Sequence, residues 1–188
     1  PGRERVVGWI GSSASLRYLL PLAAPLAEVC RRVPGVRVVL VCNEFVDLPD
    51  VPMEKRLWSA GREVVDLLGF DVGLMPLDDR PFSQGKCGFK ILQYQAAGVP
   101  VGCSPVGANL EIVAGAETGL FARGGPEWVE AILRLLEDRS LARRLAAGGR
   151  DRMAAVYSAE IIGSRLADRI LATAAPRARE RGGAPREL

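Results

Sequence analysis

Short apolar runs alternate with amphipathic stretches over the first two thirds of the chain. RVVGWIG (5 to 11) is apolar, β-branched and closed by glycine, the pattern of a strand with a tight exit. Leu22, Leu26, Val29, Cys30 and Val33 recur at helical spacing, with Pro21 and Pro25 delaying or kinking the first turns. VRVVLVC (36 to 42) is almost wholly apolar, as a strand covered on both faces must be. The alternation then predicts a weaker strand near 51 to 57, a helix near 61 to 69, strand FDVGLM at 70 to 75 and a helix from about 89 to 97. Strand VPVGC at 99 to 103, a short helix near 109 to 114 and strand GLFA at 119 to 122 follow. After residue 125 only helical stripes remain: Trp128, Ile132, Leu135 and Leu136; then Leu141 and Leu145; then Ile161, Ile162, Leu166 and Ile170.

Strands that alternate with helices argue for an α/β protein, a Rossmann-like doubly wound parallel sheet of about six strands with helices on both faces and an all-helical C-terminal end. The 188 residues, 48% of them hydrophobic, suffice for one sizeable core, and no internal repeat or long linker divides them. One domain over 1 to 175 is expected. From Pro176 the tail PRARERGGAPREL has too little apolar content to pack and is expected to be mobile and Arg-rich.

Charge changes the picture little. The net charge is +3, and four arginines against two glutamates in the tail supply +2 of it, so the folded part is nearly neutral and carries no general nucleic-acid or membrane footprint. Cysteines 30, 42, 87 and 103 lack C-x-x-C spacing, and three lie in apolar segments, which suits reduced buried thiols and a cytoplasmic setting. No run is long enough to span a bilayer and no signal-like segment opens the sequence. There is no histidine, so the commonest general base and metal ligand is absent.

In an open α/β sheet, ligands bind beyond the carboxyl ends of the strands. The loops to inspect are therefore GSSASLR (11 to 17), NEF (43 to 45), PLDDRPFSQGKCGFK (76 to 90) and SPVGAN (104 to 109). The third is the longest and holds two of the chain's three lysines, in a sequence with 22 arginines. Gly85 and Gly88 bracket Lys86, and a helix follows at once. Backbone amides freed by glycine, a helix start and a compact ammonium suit an anionic oxygen, and Lys86 and Lys90, four apart, can converge on one ligand. Two lysines that merely solvate a helix start are the plainer alternative. The Walker pattern fails, because Arg80 and Cys87 stand where glycine and Ser or Thr are required. GWIGSSAS is not G-x-G-x-x-G, so a dinucleotide site is poorly supported.

Weaker candidates surround this loop. Ser12, Ser13 and Ser15 suit either phosphate binding or helix capping. Asn43 and Glu44 suit either the pocket wall or turn chemistry. Trp58 with Ser59 suits either a base-flanking position or a plain core or rim position. Asp78 and Asp79 are adjacent, a poor arrangement for a metal, and none is expected. Gly107 suits close backbone approach to a ligand, and Glu111 either orients its loop or caps a helix.

The run DVGLMPLDDRPFSQGKCGFKILQYQAAGVPVGCSPVGANLEIV resembles the nucleotide-sugar-binding half of the retaining family 4, or group 1, glycosyltransferases of GT-B fold. The GKCGFK loop, the K-x-x-Q-Y helix ending in AAGVPV, SPVG with Glu111 and a late EW carry the likeness, and GWIGSSASLRYL matches the family's first strand and loop. The resemblance runs from about residue 5 to 157. It implies that Arg17, six positions after Gly11, and Lys90 grip the nucleotide diphosphate. Gly85 and Gln93 occupy the positions of two family glutamates spaced eight apart, so both acids are missing. Glutamine can still donate to and accept from ribose hydroxyls, and glycine offers backbone amides, which implies a variant donor site.

The resemblance implies transfer of a hexose from a UDP- or GDP-linked sugar to an acceptor, with no cofactor and no metal. It also implies a partner, an N-terminal acceptor-binding domain absent from this chain, without which turnover is not expected. Any peripheral membrane association would come only through that half. The last helix, left alone, is expected to expose its stripe and drive self-association. The alternative is a non-catalytic α/β binding or scaffold domain that lost donor binding along with the two acids.

Overall fold

The computed structural model describes residues 4–113 and 117–174, so the expected tail lies outside the described residues. Six parallel strands form one sheet in the order β3-β2-β1-β4-β5-β6. They are β1 (Arg5–Ile10), β2 (Val36–Cys42), β3 (Met53–Leu57), β4 (Val72–Met75), β5 (Val101–Cys103) and β6 (Leu120–Phe121). The helices are α1 (Ala23–Arg32), α2 (Glu63–Leu68), α3 (Pro81–Gln84), α4 (Phe89–Ala96), α5 (Ala108–Val113), α6 (Gly125–Glu137), α7 (Arg139–Val156) and α8 (Ala159–Ala174).

Alternation along the strands sends side chains to two cores. Val7, Trp9, Val38, Leu40, Cys42, Val72 and Leu74 pack with Leu26 and Val29 of α1 and with Trp128, Ile132 and Leu135 of α6. Val39, Val41, Met75, Val101 and Cys103 pack on the other face with Leu67 of α2, Ile91 and Tyr94 of α4, and Ile112 and Val113 of α5. Helices thus cover both faces, which is why β1 and β2 read as unbroken apolar runs. Cys42 and Cys103 are buried, Cys30 is half-buried and Cys87 is exposed, all as free thiols.

The chain leaves β1 in one direction to β2 and β3, then crosses to β4 on the other side, so the sheet's switch point lies between β1 and β4. Gly8 and Gly73 face each other there. A Cβ on Gly8 would lie 2.1 Å from the Phe70 ring and one on Gly73 2.6 Å from the Tyr94 ring, so the two glycines admit two aromatic rings onto the sheet. Gly8 and Gly73 are the last registered pair. Beyond them the Tyr94 hydroxyl bridges the strands: it accepts from Ile10 N at 3.2 Å and donates to the Leu74 carbonyl at 3.2 Å. Complete burial pushes the Tyr94 phenol well above its ordinary value, so it remains protonated.

The elements that periodicity did not predict are short. Two 3-10 turns, Ser13–Tyr18 and Leu20–Leu22, precede α1, and one turn of helix, α3, follows β4. Pro21 sits at the start of the second 3-10 turn and Pro25 in the first turn of α1, where a missing N–H breaks no helical bond, so the prolines delay the helix without kinking it.

Candidate functional site

Gly88 opens α4 in a left-handed conformation, with φ +65°. A side chain there would strike Ile112 at 2.4 Å and crowd Asn109 Oδ1 at 3.2 Å, so only glycine closes this turn against α5. No side chain caps α4. Lys86 and Lys90 flank that uncapped start.

Lys90 lies half-buried, with Nζ 5.1 Å from the Trp9 ring. A Cβ on Gly11 would sit 2.6 Å from Lys90 Cε and 2.7 Å from the Trp9 ring, so Gly11 clears the path by which Lys90 crosses the exit of β1. Burial, joined by repulsion from Lys86, pulls the Lys90 ammonium down to about 8.

Lys86 Nζ stands 5.1 Å from the Tyr18 ring and 5.2 Å from the Phe82 ring. Arg17 shares both rings, at 4.8 Å and 5.5 Å. Two aromatic faces thus hold a lysine and an arginine together despite their like charge. Arg17 Nη2 donates to Tyr18 Oη at 2.7 Å, and the Ser83 hydroxyl, 3.0 Å from Tyr18 Oη, also bonds Asp78. Burial opposes ionisation of Tyr18, but bonds from Ser83 and Arg17 and the charge of Lys86 outweigh it, and the phenol falls below its ordinary value. The Ser83 bond holds the Asp78 carboxyl below the usual carboxylate range. A cavity of about 340 Å³ lined by Arg17, Asp78, Arg80, Phe82 and Ser83 opens beside this cluster. Two larger hollows, of about 830 and 730 Å³, lie at the amino ends of the strands and between α1 and α6, away from the cations.

Other candidates turn out to shape the walls. Asn43 Oδ1 accepts from Ser13 N at 2.9 Å and its Nδ2 donates to Ser13 Oγ at 3.2 Å, so Asn43 ties the exit of β2 to the exit of β1. Ser12 precedes the first 3-10 turn without a side-chain cap bond. Gly107 has φ +53°, and a Cβ there would lie 2.3 Å from the Gln84 carbonyl oxygen; the close approach it permits is between two loops of the chain. Gly85 faces open space, its nearest neighbour being 3.7 Å from a built Cβ, so no steric demand requires glycine. Asp78 and Asp79 bond Ser83 and Gln84 and shape the lead into α3. Glu111 accepts from Tyr157 Oη at 3.3 Å, on the side of α7.

Gln93 Nε2 donates to Glu63 Oε1 at 2.8 Å, and Trp58 Nε1 donates to Glu63 Oε2 at 2.7 Å. Sequence inspection passed over Glu63, Tyr18 and Phe82. An isolated glutamate at a helix start carries no signal, but an arginine beside a tyrosine and an aromatic four residues before a lysine do suggest shared rings.

The chain belongs to the glycosyl transferases group 1, whose family model matches residues 6–138. Among solved structures it is similar to the C-terminal domain of a glycosyl transferase group 1 family protein, LpcC, from Francisella tularensis, with a TM-score of 0.67 and 15% identity over 82% of this chain and 87% of that one. It is also similar to Alr3699/HepE of Anabaena, solved with UDP and glucose, with a TM-score of 0.70 and 18% identity over 89% of this chain and 48% of that one. Sucrose-phosphate synthase from Thermosynechococcus elongatus gives 0.65 and 18% over 92% and 47%. The chain therefore spans about half the length of those two larger proteins. No curated protein sequence matches it.

Proposed function

We propose that the chain is the donor-binding half of a glycosyltransferase, which moves a hexose from a UDP- or GDP-linked sugar to an acceptor with retention of anomeric configuration. The observation that carries this reading is the gathering of Arg17, Lys86 and Lys90 at the exit of β1 and the uncapped start of α4, two of them on the same aromatic faces. The HepE structure with UDP and glucose supports it by analogy of fold.

The chemistry follows from charge. When a glycosidic bond to a diphosphate breaks, negative charge grows on the leaving oxygen. Cations and amides already in position stabilise that charge without reorganising. Exposed Arg17 and half-buried Lys86 are the pair that meets the diphosphate, Lys90 supplies a poorly solvated charge beneath it, and the first amides of α4 complete the cradle. This compensation requires no metal. The acceptor and the walls that exclude water belong to a second, N-terminal domain, so this chain by itself binds donor without turning it over.

Titration calorimetry with UDP, GDP and ADP on the wild type and on Lys90→Ala and Arg17→Ala tests the assignment. Each substitution is expected to weaken diphosphate binding roughly ten- to hundredfold, the cost of losing a charged hydrogen bond. Absence of binding at millimolar nucleotide, or binding that ignores both substitutions, favours a scaffold domain.

A further inference from the structure

The geometry points to a second ligand site, at the amino ends of the strands, that takes a phosphate ester carrying an apolar body. It lies at the other end of the sheet from Arg17, Lys86 and Lys90 and shares no residue with them. The length of β1 alone separates the two sites by roughly 17 Å.

The site is the hollow of about 830 Å³. Its wall is built from the segments that lead into three strands, Pro34 and Gly35 before β2, Phe70 and Asp71 before β4, and Gly98 and Pro100 before β5, together with the end of α6 and the first turns of α7. Val33, Phe70, Leu135 and Leu136 give it an apolar floor. Ala142 and Ala146 continue that floor on α7, four residues apart on one side of the helix, where longer side chains would fill the space.

Guanidiniums border the floor. Arg5 opens β1, and its Nη1 donates to the Leu136 carbonyl at 2.7 Å, which brings its head to within a turn of Arg139. Arg139 and Arg143 stand one turn apart on α7, and Arg143 Nε donates to the Arg139 carbonyl at 3.2 Å. Arg150 falls on the same stripe of α7, within about 40° of both. A side chain on Gly98 would strike its guanidinium, so this fourth cation reaches the wall of the hollow.

None of these four arginines pairs with a carboxylate among the described residues, whereas Arg31, Arg37, Arg56 and Arg123 all do. Asp71 is the one carboxylate on the wall among the described residues, and its Oδ2 accepts from Val6 N at 2.9 Å. The hollow is therefore strongly positive in a nearly neutral protein.

A cationic rim around an apolar floor selects an amphiphile. A phosphate monoester, with a charge of about −1.5 to −2 at pH 7 and three acceptor oxygens, uses more of the surplus than a carboxylate does. Neighbouring guanidiniums meet such a group with parallel bonds. The volume suits a soluble ester of ordinary ligand size, and a lipid phosphate presents the same chemistry.

Calorimetry with hexyl phosphate and inorganic phosphate, with and without UDP, tests the site, alongside cosedimentation with vesicles of phosphatidic acid or of phosphatidylcholine. The wild type is expected to bind hexyl phosphate at sub-millimolar concentration, roughly tenfold or more tightly than inorganic phosphate, because the chain is buried on the floor. Arg139→Gln combined with Arg143→Gln, at two exposed positions, should keep the wild-type unfolding midpoint and weaken the ester roughly tenfold or more. Ala146→Phe, which fills the hollow, should remove the advantage of the chain and leave inorganic phosphate as before. Hexyl phosphate bound in solution assigns a soluble ester; binding to phosphatidic-acid vesicles alone, lost in the double variant, assigns a lipid. Silence toward ester and vesicle alike overturns the site, as does equal affinity for the ester and inorganic phosphate. Binding that ignores the arginine pair overturns it too, and so does an ester that UDP displaces, since that ester would sit at the cation cluster.

Discussion

Lys90 combines the two properties an anion site needs, a charge and a shortage of water around it. Its ammonium titrates near 8, with burial as the main cause and Lys86 as the second. Unfolding restores the ordinary value of about 10.4, so between about pH 8 and 10.4 the unfolded chain holds more protons and stability rises with pH through that window. Below pH 8 the folded state carries the full penalty of a buried charge. A bound diphosphate offsets it and returns the ammonium toward its ordinary value, so binding at pH 9 should take up a fraction of a proton. Calorimetry in two buffers of different ionisation enthalpy measures that uptake, which should vanish in Lys90→Met. Much of this was legible at the level of single residues. The rarity of lysine and the four-residue spacing singled out Lys86 and Lys90, and the glycines on either side added weight to Lys86. Partner-dependent roles were not legible: Asn43 looked like a pocket or turn residue because nothing in its neighbours announces Ser13, thirty positions away.

Among the elements, periodicity located β1, β2 and α4 within a residue or so, because each is a clean apolar run or stripe. It missed the 3-10 turns and α3, which are too short to show a period. It gave no hint of the paired glycines of β1 and β4, since a glycine in a strand looks the same whether it admits a ring or only weakens the strand. Their environments predict different outcomes. Gly8→Ala and Gly73→Ala drive a methyl into the Phe70 and Tyr94 rings and should each cost about 1–3 kcal/mol in urea denaturation, as overpacking does. Gly85→Ala, facing open space with φ −80°, should stay within about 0.5 kcal/mol of the wild type.

At the scale of the whole molecule, α8 departs from the rest. Its apolar residues Ile162, Leu166, Ile170 and Leu171 are exposed, Leu166 by 58% and Ile170 by 56%. No helix among the described residues is long and apolar enough to cross a membrane. Such a stripe in water favours association. Sedimentation velocity is expected to show concentration-dependent self-association that Leu166→Glu with Ile170→Glu abolishes, without a change in the unfolding midpoint. The stripe was visible in the sequence and its exposure was expected from the family resemblance; periodicity alone does not show it, because an amphipathic pattern looks the same above a core and beside solvent.

The meeting of Gly107 with the Gln84 carbonyl, and of Gly88 with Ile112, interlocks the lysine loop with the turn after β5 and with α5. Arg152 of α7 in turn donates to the carbonyls of Glu111 and Ile112, and Tyr157, just before α8, holds the Glu111 side chain. These parts mesh like gears: a tug on the lysine loop is borne at the pivot of the terminal helix.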